Sequence, residues 1–191
     1  MTKQLIIVTT NHGKFEEIKR YLQQLDPTII VTQEALDLPE YQDMDIRNVA
    51  LGKAQHAWEL LKKPLMIDDG GIYIEKYNRF PGVFTKYVYE GIGLDGIWKL
   101  AQDDPRAYML NCLVFIDGPN SYEFFEGITK GVLTAPVPEI VHKQLPYRSI
   151  FIPEGHDKTI DQLWLNSKDQ SYSHRYKAVQ KFIDWYEKRN K

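Results

Sequence analysis

Cysteine is nearly missing from this chain of 191 residues, in which Cys112 stands alone. One thiol forms no internal disulfide framework and no cysteine-based zinc site, and its isolation suits a reducing compartment. An excess of either charge is missing too. Lysine and arginine number 24 against 26 aspartates and glutamates, a formal net charge of −2. A chain so balanced exerts no long-range pull on nucleic acid or on a membrane surface, so an anion would have to be held by a few locally gathered cations. Long apolar runs are also absent. The first, Leu5 to Val8, has four residues, short of the roughly 7 to 15 of a signal-peptide core, and no run nears the roughly 20 of a membrane span. These absences predict a soluble, cytoplasmic protein with a small ligand and with neither nucleic acid nor membrane among its partners.

What is present is a 43% hydrophobic chain of ordinary domain size, which predicts one domain over residues 1–191 with a sizeable core. LIIV at 5–8 reads as a buried strand ending in the polar TTNHGK. Phe15, Ile18, Tyr21, Leu22 and Leu25 then share one helical face, with Glu16, Glu17, Lys19 and Arg20 on the other. TIIVT at 28–32 is a second strand, DLPEYQD a polar loop, and a helix capped by Asp45 runs to the stop at Pro64. LMI at 65–67 is a strand leading into DDGG and the alternating IYIE, and two short helices are expected over 83–89 and 94–101. Residues 107–116 and 122–128 read as a hairpin around Asp117-Gly118-Pro119-Asn120. A strand at 149–152, a helix at 161–165 and a closing helix capped by Ser173 complete the pass. Helices and strands alternate early and strands pair late, which predicts an α/β fold with a mixed sheet.

Three places could carry chemistry. Thr9 to Lys14 joins the end of a buried strand to a helix N-terminus, where backbone N–H groups, the helix dipole, the hydroxyls of Thr9 and Thr10 and the charge of Lys14 favour an anion. The alternative is that Asn11 merely caps a helix beside a surface lysine. Asp68 and Asp69 close a strand, and alternation sends them to opposite faces, so one can face a cleft while the other braces a turn. Magnesium favours such a carboxylate, with Glu40 in its Pro-bounded loop as a second; a plain Asp-Asp-Gly-Gly turn is the alternative. Last, SHR at 173–175 puts His174 and Arg175 at a helix N-terminus, where cations are unfavourable unless a ligand lies there. Two surface side chains with their heads in water would explain the same string.

TTNHGKFEEIKR, DLPEYQ, DDGGIYIEKYNRFPGVFTKYV, FFEGITKG, IFIPEG and SHR occur in the order and approximate spacing of the inosine triphosphate pyrophosphatases, which the chain resembles from about Leu5 to Phe182. The resemblance implies an elongated mixed sheet with flanking helices, two lobes around a central cleft, and a homodimer. It further implies Mg²⁺-dependent hydrolysis of a nucleoside triphosphate to monophosphate and pyrophosphate. Carried over by position, it implies that Thr9, Asn11 and Lys14 hold the triphosphate, with Lys53 and Lys86 near the phosphates. Glu40 and Asp69 would bind the metal, Asp69 or Asp68 would orient or deprotonate the attacking water, and His174 and Arg175 would read the 6-oxo group of hypoxanthine or xanthine.

The departures cluster at the base end. Where the family carries aromatic, Gly, aromatic, Asp, Pro, this chain has Leu145, Pro146, Tyr147, Arg148 and Ser149. Arg148 only donates hydrogen bonds where an acid would accept them. Gly70 replaces a Ser or Thr, Asn48 stands where many members have Glu, and the family's lysine before the His is Asp169 here, with Lys168 one place away. An altered base preference is one consequence. A nucleotide-binding regulatory protein that has lost turnover is another.

Overall fold

A computed structural model describes residues 3–137, 143–166 and 169–189 of the chain. Its element order is β1 (Lys3–Val8), α1 (His12–Leu25), β2 (Ile29–Glu34), α2 (Ile46–Leu61), β3 (Leu65–Ile74), β4 (Pro81–Gly82) and α3 (Thr85–Ala101). β5 (Arg106–Gly118), β6 (Ser121–Leu133), a 3₁₀ turn (Pro146–Ser149), β7 (Phe151–Pro153), α4 (Ile160–Asn166) and α5 (His174–Arg189) follow. The expected α/β class with a mixed sheet and flanking helices is what forms. Among the described residues seven strands lie in one sheet, in the order β2-β1-β3-β5-β6-β7, with β4 paired to β3 off that path. β1 pairs in parallel with β2 and β3, because α1 and α2 serve as crossovers, while β3, β5, β6 and β7 pair antiparallel.

Several boundaries differ from the sequence reading, each for a physical reason. DDGG is not a turn: β3 runs unbroken through it, with Asp68 opposite Leu113, Asp69 opposite Cys112 and Gly70 opposite Asn111. Pairing with β5 satisfies the backbone that a turn would otherwise have to satisfy locally. The helices expected over 83–89 and 94–101 are the two limbs of α3, broken at Gly93, whose φ of 63° leaves the helical region. The strand expected from Ser149 begins at Phe151, because Pro146 to Ser149 closes into the 3₁₀ turn. The hairpin is longer than expected, reaching back to Arg106 and on to Leu133.

The long strands carry three buried clusters. On one face α1 and α5 cover Met66, Leu113, Phe115 and Phe125, with Tyr21 and Phe182 at the centre. On the other, α2 presents the fully buried Ala50, Ala54 and Ala57 to Ile67, Cys112 and Val114. Farther along β3, Ile72 and Ile74 pack with Leu94 and Ile97 of α3 and with Phe151. α5 lies hard against β6 at Gly127, where a Cβ would fall 1.8 Å from the His174 carbonyl oxygen, so the N-terminus of α5 is held on the sheet by a contact only glycine permits. Among the described residues no helix is long and apolar enough to cross a membrane.

Candidate active site

The loop after β1 is organised by its own polar side chains. Asn11 caps α1, its Oδ1 accepting from Lys14 N–H at 2.9 Å, and Thr9 Oγ1 accepts from Asn11 N–H at 3.1 Å. The capping reading and the anion-site reading are therefore compatible, since one side chain satisfies one N–H and the helix end stays positive. Lys14 reaches across to β3, with Nζ 3.1 Å from Asp68 Oδ2 and donating to the Asp68 carbonyl at 3.3 Å.

Strand alternation separates the two aspartates as expected, but Asp68 braces helices instead of a turn. Its side chain is wholly buried on the α1 and α5 face, where Arg175 Nε lies 3.0 Å from Oδ1 and Asn111 Nδ2 donates to Oδ1 at 2.6 Å. Burial alone would raise this carboxyl, yet Arg175, then Lys14, and the hydrogen bonds hold it far below the usual carboxylate range. A carboxylate so committed is a weak base. Asp69 faces α2, where Lys53 Nζ lies 2.9 Å from its Oδ2 and 2.7 Å from Oε2 of the half-exposed Glu40. Burial works against the Lys53 ammonium, but Asp69 and then Glu40 outweigh it and raise its pKa. Lys86, at the start of α3, is 3.9 Å from Glu40. Glu40, Asp69, Lys53 and Lys86 thus form one group, next to the strand that carries the Lys14 partner Asp68.

Two hard carboxylate oxygens drawn to a single cation are a donor set suited to magnesium, which takes one or two carboxylates and completes its shell with water and substrate phosphates. Among the described residues no three His, Cys, Asp or Glu side chains gather for a metal. Glu40 and Asp69 are the carboxylates here that could hold such an ion.

The residues of the 3₁₀ turn and of the α5 N-terminus lie deeper than the sequence suggested. Arg175 is 3% exposed, with NH1 2.5 Å from Glu17 Oε2 and both Nε and NH2 directed at Asp68. Arg148 is 3% exposed as well, with Nε 3.0 Å from Asp161 Oδ1, NH1 3.8 Å from Glu17 Oε2 and its guanidinium 4.4 Å from the Trp164 ring centre. The cation that stood out in the sequence is matched by carboxylates of this same chain. Tyr147 is buried too, donating its hydroxyl to the Thr85 carbonyl at 2.9 Å. Gly70 is closely fitted, since a Cβ there would lie 3.3 Å from the Leu110 carbonyl oxygen, 3.5 Å from Asn111 Nδ2 and 3.9 Å from Arg175 NH2. Lys168 lies outside the described residues.

Glu17 and Asn111 were not among the sequence candidates. The sequence reading placed Glu17 on the polar face of α1, but it is 2% exposed and accepts from the Tyr21 hydroxyl at 2.8 Å. The i,i+4 spacing to Tyr21, already on the apolar face, was the available signal. Burial would raise the Glu17 carboxyl, but Arg175 and then Arg148 lower it on balance.

His174 is buried, and its Nδ1 has no hydrogen-bond partner among the described residues. Burial, and after it the Arg175 charge, depress its pKa from 6.5 to about 3. As pH falls, the unfolded chain protonates this imidazole first, so His174 contributes stability above about pH 6.5 that is lost progressively toward pH 3. Denaturation in urea at pH 7.5, 6 and 5 is expected to show stability falling by up to about 1.4 kcal/mol per pH unit below 6.5. His174→Gln should flatten that slope, and an equal slope in both proteins would refute the assignment.

A family model described as the Ham1 family matches residues 5–185. A dITP/XTP pyrophosphatase of Methanopyrus kandleri is 32% identical over 186 residues, covering 96% of each chain. One of Pyrococcus horikoshii is 33% identical, covering 95% of this chain and 96% of its own. An inosine triphosphate pyrophosphatase of Saccharomyces cerevisiae is 31% identical over 95% of both. Among solved structures, the Staphylococcus aureus Ham1 protein has a TM-score of 0.76 at 21% identity, covering 98% of this chain and 100% of that one. A HAM1 protein of Coxiella burnetii has 0.77 at 20%, covering 97% and 99%. At those identities the two structures speak for the fold alone.

Proposed function

The chain belongs to the Ham1 family, and from that premise we propose that it is a nucleoside triphosphate pyrophosphatase releasing pyrophosphate from triphosphates with a 6-oxo purine base. The relatives named dITP/XTP and inosine triphosphate pyrophosphatase, aligned over nearly their whole length, support the reaction and the base class. What carries the assignment of the site is the convergence of Glu40 and Asp69 on the Lys53 ammonium, at 2.7 and 2.9 Å.

In this reading Thr9, Asn11 and the first N–H groups of α1 receive phosphate oxygens, and Lys14, Lys53 and Lys86 offset the roughly four charges of the triphosphate. Glu40 and Asp69 would hold Mg²⁺, which when bound supplies charge neutralisation at the phosphates. Attack at the α-phosphorus needs chiefly positioning, and Asp69, the less buried of the paired aspartates, orients the water and takes its proton. Asp68 is assigned to holding Lys14, since its oxygens are already shared with Lys14, Arg175 and Asn111. Arg175 spends three N–H groups on Glu17 and Asp68; of its five donors two remain for the base, beside His174. Tyr147 and Arg148 shape the turn that faces the base. We extend the reading to a single two-lobed domain, a homodimer and a cytoplasmic location, all of which rest on the family resemblance and the composition.

Incubation with Mg²⁺ and a panel of ordinary, deaminated and modified nucleoside triphosphates tests the function. Inosine, deoxyinosine and xanthosine triphosphates are expected to release pyrophosphate, and Asp69→Asn to lower that rate at least about a hundredfold. Nucleotide binding without release from any triphosphate would instead favour the regulatory protein.

A further inference from the structure

Gln144 is an exposed residue two positions ahead of the 3₁₀ turn, yet it is joined to the N-terminus of α1, 131 residues away in sequence. Its Oε1 accepts from Gly13 N–H at 2.6 Å, and its main-chain oxygen accepts from Asn11 Nδ2 at 3.0 Å. The fit is close. A Cβ at Gly13 would sit 3.2 Å from both Cβ and Oε1 of Gln144. Gly13 N–H is one of the unpaired donors that a helix N-terminus offers to an anion, and a neutral amide oxygen now occupies it.

From this contact we infer that Gln144 is an affinity-determining residue of the phosphate cradle: a resident acceptor on Gly13 N–H that the phosphate tail must displace, whatever the base. The inference rests on the function proposed above. Two features make displacement feasible. The Gln144 side chain is exposed, so a rotamer change frees the N–H without unpacking a core. The main chain around it is fixed separately, by the Asn11 bond on one side and by the Tyr147 hydroxyl on Thr85 and the Arg148 ion pairs on the other. Side-chain exchange thus leaves the turn, and the groups that act on the α-phosphorus, where they are. The incoming oxygen gains more than the glutamine loses, because a phosphate oxygen carries full charge against the positive end of α1 and the amide does not.

The test uses the full chain and two substitutions of opposite sign. Gln144→Ala removes the competitor, and since one neutral hydrogen bond of this kind is the competing interaction, binding of inorganic tripolyphosphate in calorimetry should tighten about three- to tenfold. The KM for every nucleoside triphosphate should fall by the same factor, with kcat within about twofold of the parent. Gln144→Glu places a carboxylate on the same N–H, where it is held more firmly and repels phosphate, so both quantities should move the other way. Tripolyphosphate binding that weakens or stays unchanged in Gln144→Ala overturns the inference, as does a kcat that falls with KM, or a parent chain that binds no tripolyphosphate. Because binding is read without turnover, a parent that binds tripolyphosphate but hydrolyses no nucleotide defeats only the pyrophosphatase reading. Turnover with unchanged affinity in Gln144→Ala defeats only the role of Gln144.

Discussion

Arg175→Met is expected to lower the stability of the folded chain by about 3–5 kcal/mol at neutral pH and to remove activity with it. The side chain of Arg175 is 4% exposed and lies between two carboxylates, Glu17 Oε2 at 2.5 Å and Asp68 Oδ1 at 3.0 Å. Methionine matches much of the volume but leaves both carboxylates buried beside one cation fewer, and breaking a buried pair from one side is far costlier than replacing both partners. Asp68 retains Lys14 and Asn111, while Glu17 retains Tyr21 and the more distant Arg148. The loss should depend on pH with a definite sign. Both carboxyls are lowered in the folded parent, so Arg175 contributes stability above the ordinary carboxylate range near 4, and that contribution fades as pH falls through it. Urea denaturation should therefore show the gap between parent and variant holding from pH 7 down to the ordinary carboxylate range near 4 and narrowing below it. A gap under about 1 kcal/mol at pH 7, or one that widens in acid, would mean that Arg175 is not the cation on which this cluster depends.

Arg148→Leu is expected to cost about 3 kcal/mol while leaving the ranking of triphosphates unchanged. Here the sequence suggested a different outcome, because an arginine in place of an acid invites the thought of an altered base contact. In the folded chain its guanidinium lies 3.0 Å from Asp161 and over the Trp164 ring, whose centre is also 4.2 Å from the Arg20 guanidinium. The residue therefore ties the 3₁₀ turn to α4, and more loosely to Glu17 on α1. Leucine keeps the bulk so that the turn survives for assay, and it removes both the charge pairing and the stacking. Thermal unfolding reads the first expectation and a substrate panel the second. A reordered panel would show that Arg148 reaches the base after all.

These two arginines mark where sequence reasoning stopped. The strand and helix assignments over residues 5–25 and 45–67 needed only local apolar period and punctuation by Asp45 and Pro64. Opposite faces for Asp68 and Asp69 followed from strand geometry alone, and the Asn11 cap from residue type. DDGG misled because the same residues suit a turn or a strand, and only the partner strand β5 decides between them. Glu17 misled because a helix period does not say how wide the buried stripe is, and the stripe widened where arginines arrived from α5 and the 3₁₀ turn.

By itself, then, the sequence determined the α/β class with its mixed sheet and the family, both of which depend on short-range pattern or on ordered strings. The tertiary structure alone decided which charges meet. Glu17 and Arg175 are 158 positions apart, Asp68 and Arg175 are 107 apart, and Gly13 and Gln144 are 131 apart. Nothing local in an arginine or a glutamine encodes such a partner, since ion pairs and hydrogen bonds between distant segments carry no sequence period and form wherever packing brings donor and acceptor within about 3 Å.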